Sequence, residues 1–414
     1  MPRQFMAPFV LVLLASGAAI AFARSTVASS AAAPPAAAAP AAMEAGKRPR
    51  ARDLGVPFDG APGPLNAITD IPGVWVGQTT LIEGSGKLVV GQGPVRTGVT
   101  AVLPRGLESM EHFSFAGWFS QNGNGEMTGT TWVEESGFLE GPVMITNTHS
   151  VGVVRDAVIA WRVAHGGADA TGSWWSLPVV AETWDGWLND INGFHVKPEH
   201  VFHAIDSAHG GAVEEGAVGG GTGMVCNGFK GGIGTSSRRL TEKDGSYMVG
   251  VLVQCNYGTR QTLRIAGIPV GREIESEDPY AFVPSDIAER GSIIVVVGTD
   301  APLLPHQLKR IARRVSLGLG RNGSISGNGS GDIFIVFSIA NPMASQVDHV
   351  VDLKMVPNDM MDGLFAATVQ ATEEAIVNAM VAAQDMTGID NHHVRALPHE
   401  KLRAVLAKYH RLAH

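Results

Sequence analysis

Between Arg290 and Asp300 the chain reads Arg-Gly-Ser-Ile-Ile-Val-Val-Val-Gly-Thr-Asp. Five consecutive β-branched residues, Ile293 to Val297, predict a strand apolar on both faces, which only the interior of a layered fold can cover. Ser292 stands at the first position of that strand, and Gly291 precedes it. Glycine takes backbone conformations closed to other residues, and a serine hydroxyl at such a joint can attack the carbonyl just upstream. The product is an ester, and water then releases a new chain that begins with Ser292. Such a serine carries a nucleophile and, in a freed α-amine with a reference pKa of about 7.7–8.0, a candidate base on one residue. Taken alone, Gly-Ser is also an ordinary turn entering a strand. The rest of the chain has to separate the two readings.

The chain has 414 residues, room for one large domain or two to three ordinary ones. With 45% hydrophobic and 17% charged residues it is core-forming rather than disordered. The net charge of −8, with no long basic run, argues against nucleic acid as the main partner. The two cysteines, Cys226 and Cys255, are too few for a disulfide framework. Each lies in or beside an apolar stretch, so the expectation is two buried free thiols, with pairing in an oxidising compartment as the alternative. No His/Cys cluster has metal-ligand spacing, and the adjacent His392-His393 does not put two rings on one helical face. No metal and no cofactor is expected.

Residues 1–23 read as a secretory signal, with Arg3 as the charge, Phe9 to Ala21 as the apolar run and Ala21-Phe22-Ala23 as a small-x-small cleavage site. The run is short for a membrane span, so none is expected once the signal is removed, and the destination is periplasmic or secreted. Residues 24–53 form a spacer dominated by the Ala/Pro tract Ala31 to Ala42, and Lys47 to Arg52 is expected to be solvated. The remainder, 54–414, is read as a single catalytic domain.

Within it, Ile68 to Gly77 suggests a strand pair around Pro72-Gly73. Further strands are predicted at Val95 to Leu103, Leu139 to Thr146, Leu177 to Ala181, Tyr247 to Cys255 and Ile333 to Ser338. Helical spacing appears at Ser150 to His165, Pro305 to Leu319 and, rich in alanine, Gly363 to Ala383. The loop Glu182 to Asp190 holds two tryptophans and three carboxylates and suggests a surface that takes a cationic or amphipathic group. The dense glycines from Gly210 to Gly234 lack a Gly-Lys-Ser/Thr ending and are read as tight turns between packed layers. Arg260 to Gly291 is read as a loop, exposed where Pro284 to Arg290 leads to the joint.

Several of these stretches, in this order, resemble one family. They are Ala67-Ile68-Thr69-Asp70, Asn122-Gly123-Asn124-Gly125-Glu126-Met127-Thr128-Gly129, Thr146-Asn147-Thr148, Pro178-Val179-Val180-Ala181-Glu182-Thr183, Phe229 to Arg238, Val253-Gln254-Cys255-Asn256-Tyr257-Gly258, Gly291-Ser292 and Gly329-Ser330-Gly331-Asp332. The chain is similar to the self-processing β-peptidyl aminopeptidases and L-aminopeptidase D-Ala-esterase/amidase (DmpA-like) enzymes from about residue 55 onward. The resemblance implies an α/β fold of the N-terminal-nucleophile-hydrolase type, a four-layer αββα sandwich. It implies autocleavage between Gly291 and Ser292 into fragments 54–291 and 292–414, tight association of each fragment with the other, and a homo-oligomer, commonly a tetramer of two-fragment units.

Site roles follow from the same resemblance. Ser292 is the nucleophile and Asn256 the oxyanion donor, which chemistry favours at a rigid strand end. Ser330 and Asp332 form a polar network that relays a proton or orients the Ser292 amine, where relatives often carry Glu in place of Asp332. Glu182 holds the free amino group of the substrate, which makes the enzyme an exopeptidase, and Trp184 stands where some relatives carry Tyr. The implied substrates are short peptides, amides or esters with a free N-terminal amine, with β-amino acids favoured. The alternatives are the L-aminopeptidase/D-Ala-esterase-amidase specificity, transfer of the acyl group to an amine, and an uncleaved, inactive binding protein for amino compounds.

Overall fold

The computed structural model describes residues 48–166, 171–172, 174–274, 279, 291–345 and 348–413. The expected signal, the Ala/Pro tract and the segment Pro284 to Arg290 lie outside the described residues. Two sheets form the centre. One has four strands in the order β1 (Trp75–Glu83), β2 (Val95–Leu107), β5 (Val143–Asn147) and β6 (Val179–Thr183). The other has six, in the order β4 (Phe138–Leu139), β3 (Ser114–Gly123), β12 (Gly331–Ser338), β11 (Ser292–Thr299), β10 (Met248–Asn256) and β9 (Gly232–Arg239). A short hairpin, β7 (Val225–Cys226) and β8 (Phe229–Lys230), sits beside the end of β10.

The run Ile293 to Val297 explains the layering. Ile294 and Val296 join Leu252, Ile333 and Ile335 in a core shared with Val102, Val143, Ile145 and Val179 of the four-stranded sheet. Ile293, Val295 and Val297 point the other way, into a core with Leu308, Ile311 and Val315 of helix Pro305–Arg321 and Ala371 and Ala375 of helix Asp362–Ala382. Successive side chains of a strand alternate faces, so a strand between two hydrophobic layers must be apolar at every position. Helices Val151–Ala164 and Pro198–Asp206 cover the far face of the other sheet, packing Val154, Val158, Val201 and Ile205 against Val99, Leu103 and Val180. The result is the four-layer αββα sandwich. The alanines let helix Asp362–Ala382 lie almost on the backbone of β9: a Cβ at Gly234 would come within 2.0 Å of the Ala375 carbonyl oxygen.

Several expectations are corrected. Ile68–Asp70 is a 3-10 turn, not a strand, because the Asp70 carboxylate takes the N–H groups of Leu65 and Ala67 and closes the chain on itself. The stretch Leu139 to Thr146 belongs to two strands in different sheets, broken at Gly141, which has φ +94°. The glycine-dense region contains a true strand, β9, besides its turns. Arg260 to Ile274 is no bare loop: it carries the 3-10 turn Arg260–Thr262 and the helical turn Val270–Glu273, and it buries Leu263, Ile265 and Val270.

Residues 49–52 are packed rather than solvated. The Ala51 N–H donates to Asn378 Oδ1 at 3.0 Å, Arg50 pairs with Glu215, and Arg52 shares buried Glu374 with Arg238. The carboxylates of Glu182, Asp185 and Asp190 are buried, so the loop after β6 is not an acidic surface. Cys226 and Cys255 are buried as expected, but they are bonded to each other rather than free, with their Cα atoms 5.6 Å apart. The β7–β8 hairpin brings them together beside the end of β10.

Candidate active site

Ser292 opens β11, and its cross-strand partner in β10 is Asn256. On its other side β11 runs parallel to β12, pairing Ile293 with Asp332. Three of the sequence-predicted residues thus meet at one end of the six-stranded sheet by register alone. Ser292 is 4% exposed, and the Gly331 N–H donates to its Oγ at 3.0 Å. Gly291 packs so closely on β10 that a Cβ there would lie 2.1 Å from the Asn256 carbonyl oxygen. Only glycine fits at the residue before Ser292.

The side-chain amide of Asn256 is held at both ends. The Val225 N–H donates to Oδ1 at 2.7 Å, and Nδ2 donates to the Trp184 carbonyl oxygen at 2.8 Å. These contacts fix which end is the donor, and a primary amide has a second N–H to give. That is the requirement for a preorganised oxyanion donor. Ser330 Oγ donates to Asp332 Oδ1, and both residues are buried. Burial pushes the Asp332 carboxyl up from the usual carboxylate range, and the Ser330 hydroxyl works against that shift. The segment holding this pair is fastened to the end of β3 and the loop that follows it: Asn122 Nδ2 donates to the Gly327 carbonyl oxygen at 2.5 Å, and Asn124 Nδ2 to that of Gly329 at 2.8 Å.

Glu182 lies in β6, in the opposite sheet, opposite Thr146 in register. Its Oε1 accepts the Glu126 N–H at 2.9 Å and its Oε2 accepts the Thr148 hydroxyl. Burial raises its pKa, while those two donors favour the ionised form. The loop that holds Glu182 through Glu126 also clasps the Ser330 segment through Asn124, so the Glu182 carboxylate and the segment beside Ser292 share one scaffold. Trp184 is half-buried and reaches the constellation through its backbone carbonyl, not through an indole N–H bond. Beside Gly291 and Ser330 is a pocket open to solvent, also lined by Tyr257, Thr259, Ser324 and Ile325.

All six residues singled out in the sequence therefore belong to one connected site. Sequence reasoning missed its supports. Thr148 lay inside a recognised motif, but its role as a donor to Glu182 depends on the β5–β6 pairing. The N–H groups of Gly331 and Val225 carry no side-chain signal at all. Tyr257 is buried, and its burial, followed by the Asp332 charge, raises its pKa against the opposing effect of Asn227. Among the described residues, no group of three or more His, Cys, Asp or Glu side chains is placed to hold a metal ion, and no helix is long and apolar enough to cross a membrane.

The model of Peptidase family S58 matches residues 66–394. The chain is 56% identical over 386 residues to the beta-peptidyl aminopeptidase BapA of Sphingosinicella microcystinivorans, covering 90% of this chain and 96% of that one. Among solved structures, the L-aminopeptidase D-Ala-esterase/amidase of Ochrobactrum anthropi, described as a prototype of the serine aminopeptidases and a variant of the Ntn hydrolase fold, superposes with a TM-score of 0.82 at 49% identity, covering 88% of this chain and 100% of that one. A Burkholderia sp. beta-aminopeptidase superposes with a TM-score of 0.79 at 45% identity, covering 87% and 98%.

Proposed function

The chain belongs to peptidase family S58 and is a serine aminopeptidase of Ntn-hydrolase fold, and we propose that it matures by cutting its own Gly291–Ser292 bond and then removes N-terminal β-amino acids from short peptides, amides or esters. In maturation, Ser292 Oγ bonds to the Gly291 carbonyl carbon while the Gly291–Ser292 C–N bond breaks, its nitrogen taking the hydroxyl proton. Water hydrolyses the resulting ester, leaving a Gly291 carboxylate and a new N-terminus at Ser292. The observation that carries this reading is the cross-strand pair of Ser292 with Asn256, whose amide is oriented by Val225 and Trp184.

Turnover uses the same atoms. Glu182 receives the substrate ammonium, which limits the enzyme to a free N-terminus. Ser292 attacks the first carbonyl, the free N–H of Asn256 receives the developing oxyanion, and the amine leaves with a proton. Water then releases the acyl group. The Ser330–Asp332 pair, hydrogen-bonded beside Ser292, supports a part in moving the proton or orienting the Ser292 amine. The similarity to a beta-peptidyl aminopeptidase over nearly the whole of both chains supports the β-amino preference. Residues 1–23 have the pattern of an export signal, which supports a periplasmic or secreted enzyme.

The test is kcat/KM on paired p-nitroanilides of β- and α-amino acids with the same side chain. The reading predicts a higher value for the β-series. A higher value for the L-α-series, or for D-alanine amide, moves the specificity to the aminopeptidase/D-Ala-esterase-amidase type.

A further inference from the structure

Lys230 is a fully buried lysine whose charge has no acidic partner: its side chain is inaccessible, and its Nζ donates to the carbonyl oxygens of Met224 at 2.8 Å, Gly231 at 2.9 Å and Gly221 at 3.5 Å. Among the described residues it makes no ion pair. The ionisable residues on the surrounding elements are Arg260, stacked on Phe229 of the same hairpin, Asp185 behind Gly223, and Arg395, whose backbone carbonyl accepts the Lys230 N–H. A buried, unpaired cation is expensive, and cheaper apolar side chains would fill the space.

Its position shows what the charge can do. The Met224 carbonyl that takes the Lys230 ammonium belongs to the same peptide unit as the Val225 N–H, which donates to Asn256 Oδ1 at 2.7 Å. A cation on a peptide oxygen draws electron density from the group and makes its N–H a stronger donor. A stronger donor on the Asn256 oxygen does the same for the Asn256 NH₂. Hydrogen bonds in such a chain reinforce one another where the dielectric is low. The chain runs from ammonium to peptide 224–225, to the Asn256 amide, and ends on the N–H left for the oxyanion.

We infer that Lys230 is a positioning residue for catalysis, aiming and polarising the Asn256 amide through the Met224–Val225 peptide so that its charge strengthens oxyanion binding without touching the substrate. This rests on the reading of Asn256 as the oxyanion donor. Burial lowers the Lys230 pKa to about 7, so the effect is present when Lys230 is protonated and fades as pH rises through that range.

The test is a double-mutant cycle on kcat with a p-nitroanilide substrate, using purified full-length protein. Lys230→Met should lower kcat about 10-fold with KM within about 2-fold, and Asn256→Ala about 10²–10³-fold. The double variant should be no slower than Asn256→Ala alone, because the path from Lys230 ends there. Lys230→Gln, which keeps a donor for the Met224 oxygen but no charge, should match wild type in melting temperature and still lose kcat. Multiplicative losses in the double variant, a Lys230→Met effect confined to KM, or full kcat in Lys230→Gln would overturn the inference. If neither Lys230 variant folds, the pH profiles decide: an alkaline fall in kcat present in wild type and absent from Asn256→Ala supports it. A fall that survives in Asn256→Ala, or is missing from wild type, overturns it. An unchanged kcat in Asn256→Ala instead removes the oxyanion reading itself, and the Lys230 inference with it.

Discussion

Gly291 is the residue on which the proposed chain cutting turns, because it must bring its carbonyl to Ser292 while lying against the backbone of Asn256. Its missing side chain is what allows this, since a Cβ would stand 2.1 Å from the Asn256 carbonyl oxygen. Gly291→Ala therefore has to push the end of β10 away from β11. The expected outcome is slower chain cutting and a lower melting temperature, read from the time course of fragment appearance and from thermal unfolding. Glu182 offers a second test at this scale. Its carboxylate is already oriented by Glu126 and Thr148, so Glu182→Gln removes charge with little change of shape. A hydrogen bond to a charged group contributes about 1.5–3 kcal/mol, so KM for amine-bearing substrates should rise roughly 10–100-fold. An unchanged KM would show that Glu182 does not hold the ammonium.

The element that ties Glu182 to Asn256 is the loop after β6, and Asp185 is its buried centre. It takes the Asn189 side-chain amide at 3.0 Å, and burial lifts its pKa from 3.8 to about 7, against the opposing hydrogen bonds of Thr97, Asn189 and Asn147. A group whose folded pKa is raised stabilises the fold fully below its unfolded pKa and loses that contribution as pH climbs through the folded value. The contribution of Asp185 therefore falls between about pH 4 and pH 7. In Asp185→Asn, which titrates nowhere in that window, the melting temperature should vary less from pH 4 to pH 7 than in wild type. An identical slope would contradict the assignment. Elements legible in the sequence were those with a clear period or an unbroken β-branched run, such as β10, β11, β12 and the helices at 151–164, 305–321 and 362–382. Strand β9 was hidden because its close contact with helix Asp362–Ala382 calls for glycine and serine, which read locally as turn residues. Strand β3 was hidden because Gln121, Asn122 and Gly123 end it as a loop would. The site residues were legible through the family motifs. Their supports were not, because a backbone N–H such as Val225 or Gly331 has no letter of its own, and the two cysteines gave no sign that the hairpin would join them.

At the scale of the molecule, the proposed cut falls where it cannot release either piece. In the six-stranded sheet β11 and β12 would come from the small fragment, yet they lie between β3 and β10 of the large one. Separation would have to open two strand interfaces and strip helices Pro305–Arg321 and Asp362–Ala382 from the core they share with β10. The two fragments should therefore elute together from a native sizing column and part only in denaturant; native separation would contradict this arrangement. The most direct test of the central claim is intact mass with N-terminal sequencing of purified wild type beside Ser292→Ala. The account predicts two masses in wild type, one belonging to a chain that begins at Ser292, and a single uncut chain in the variant. A wild-type protein that stays one chain under native conditions while hydrolysing its substrates, or a Ser292→Ala chain cut at the same bond, would contradict it.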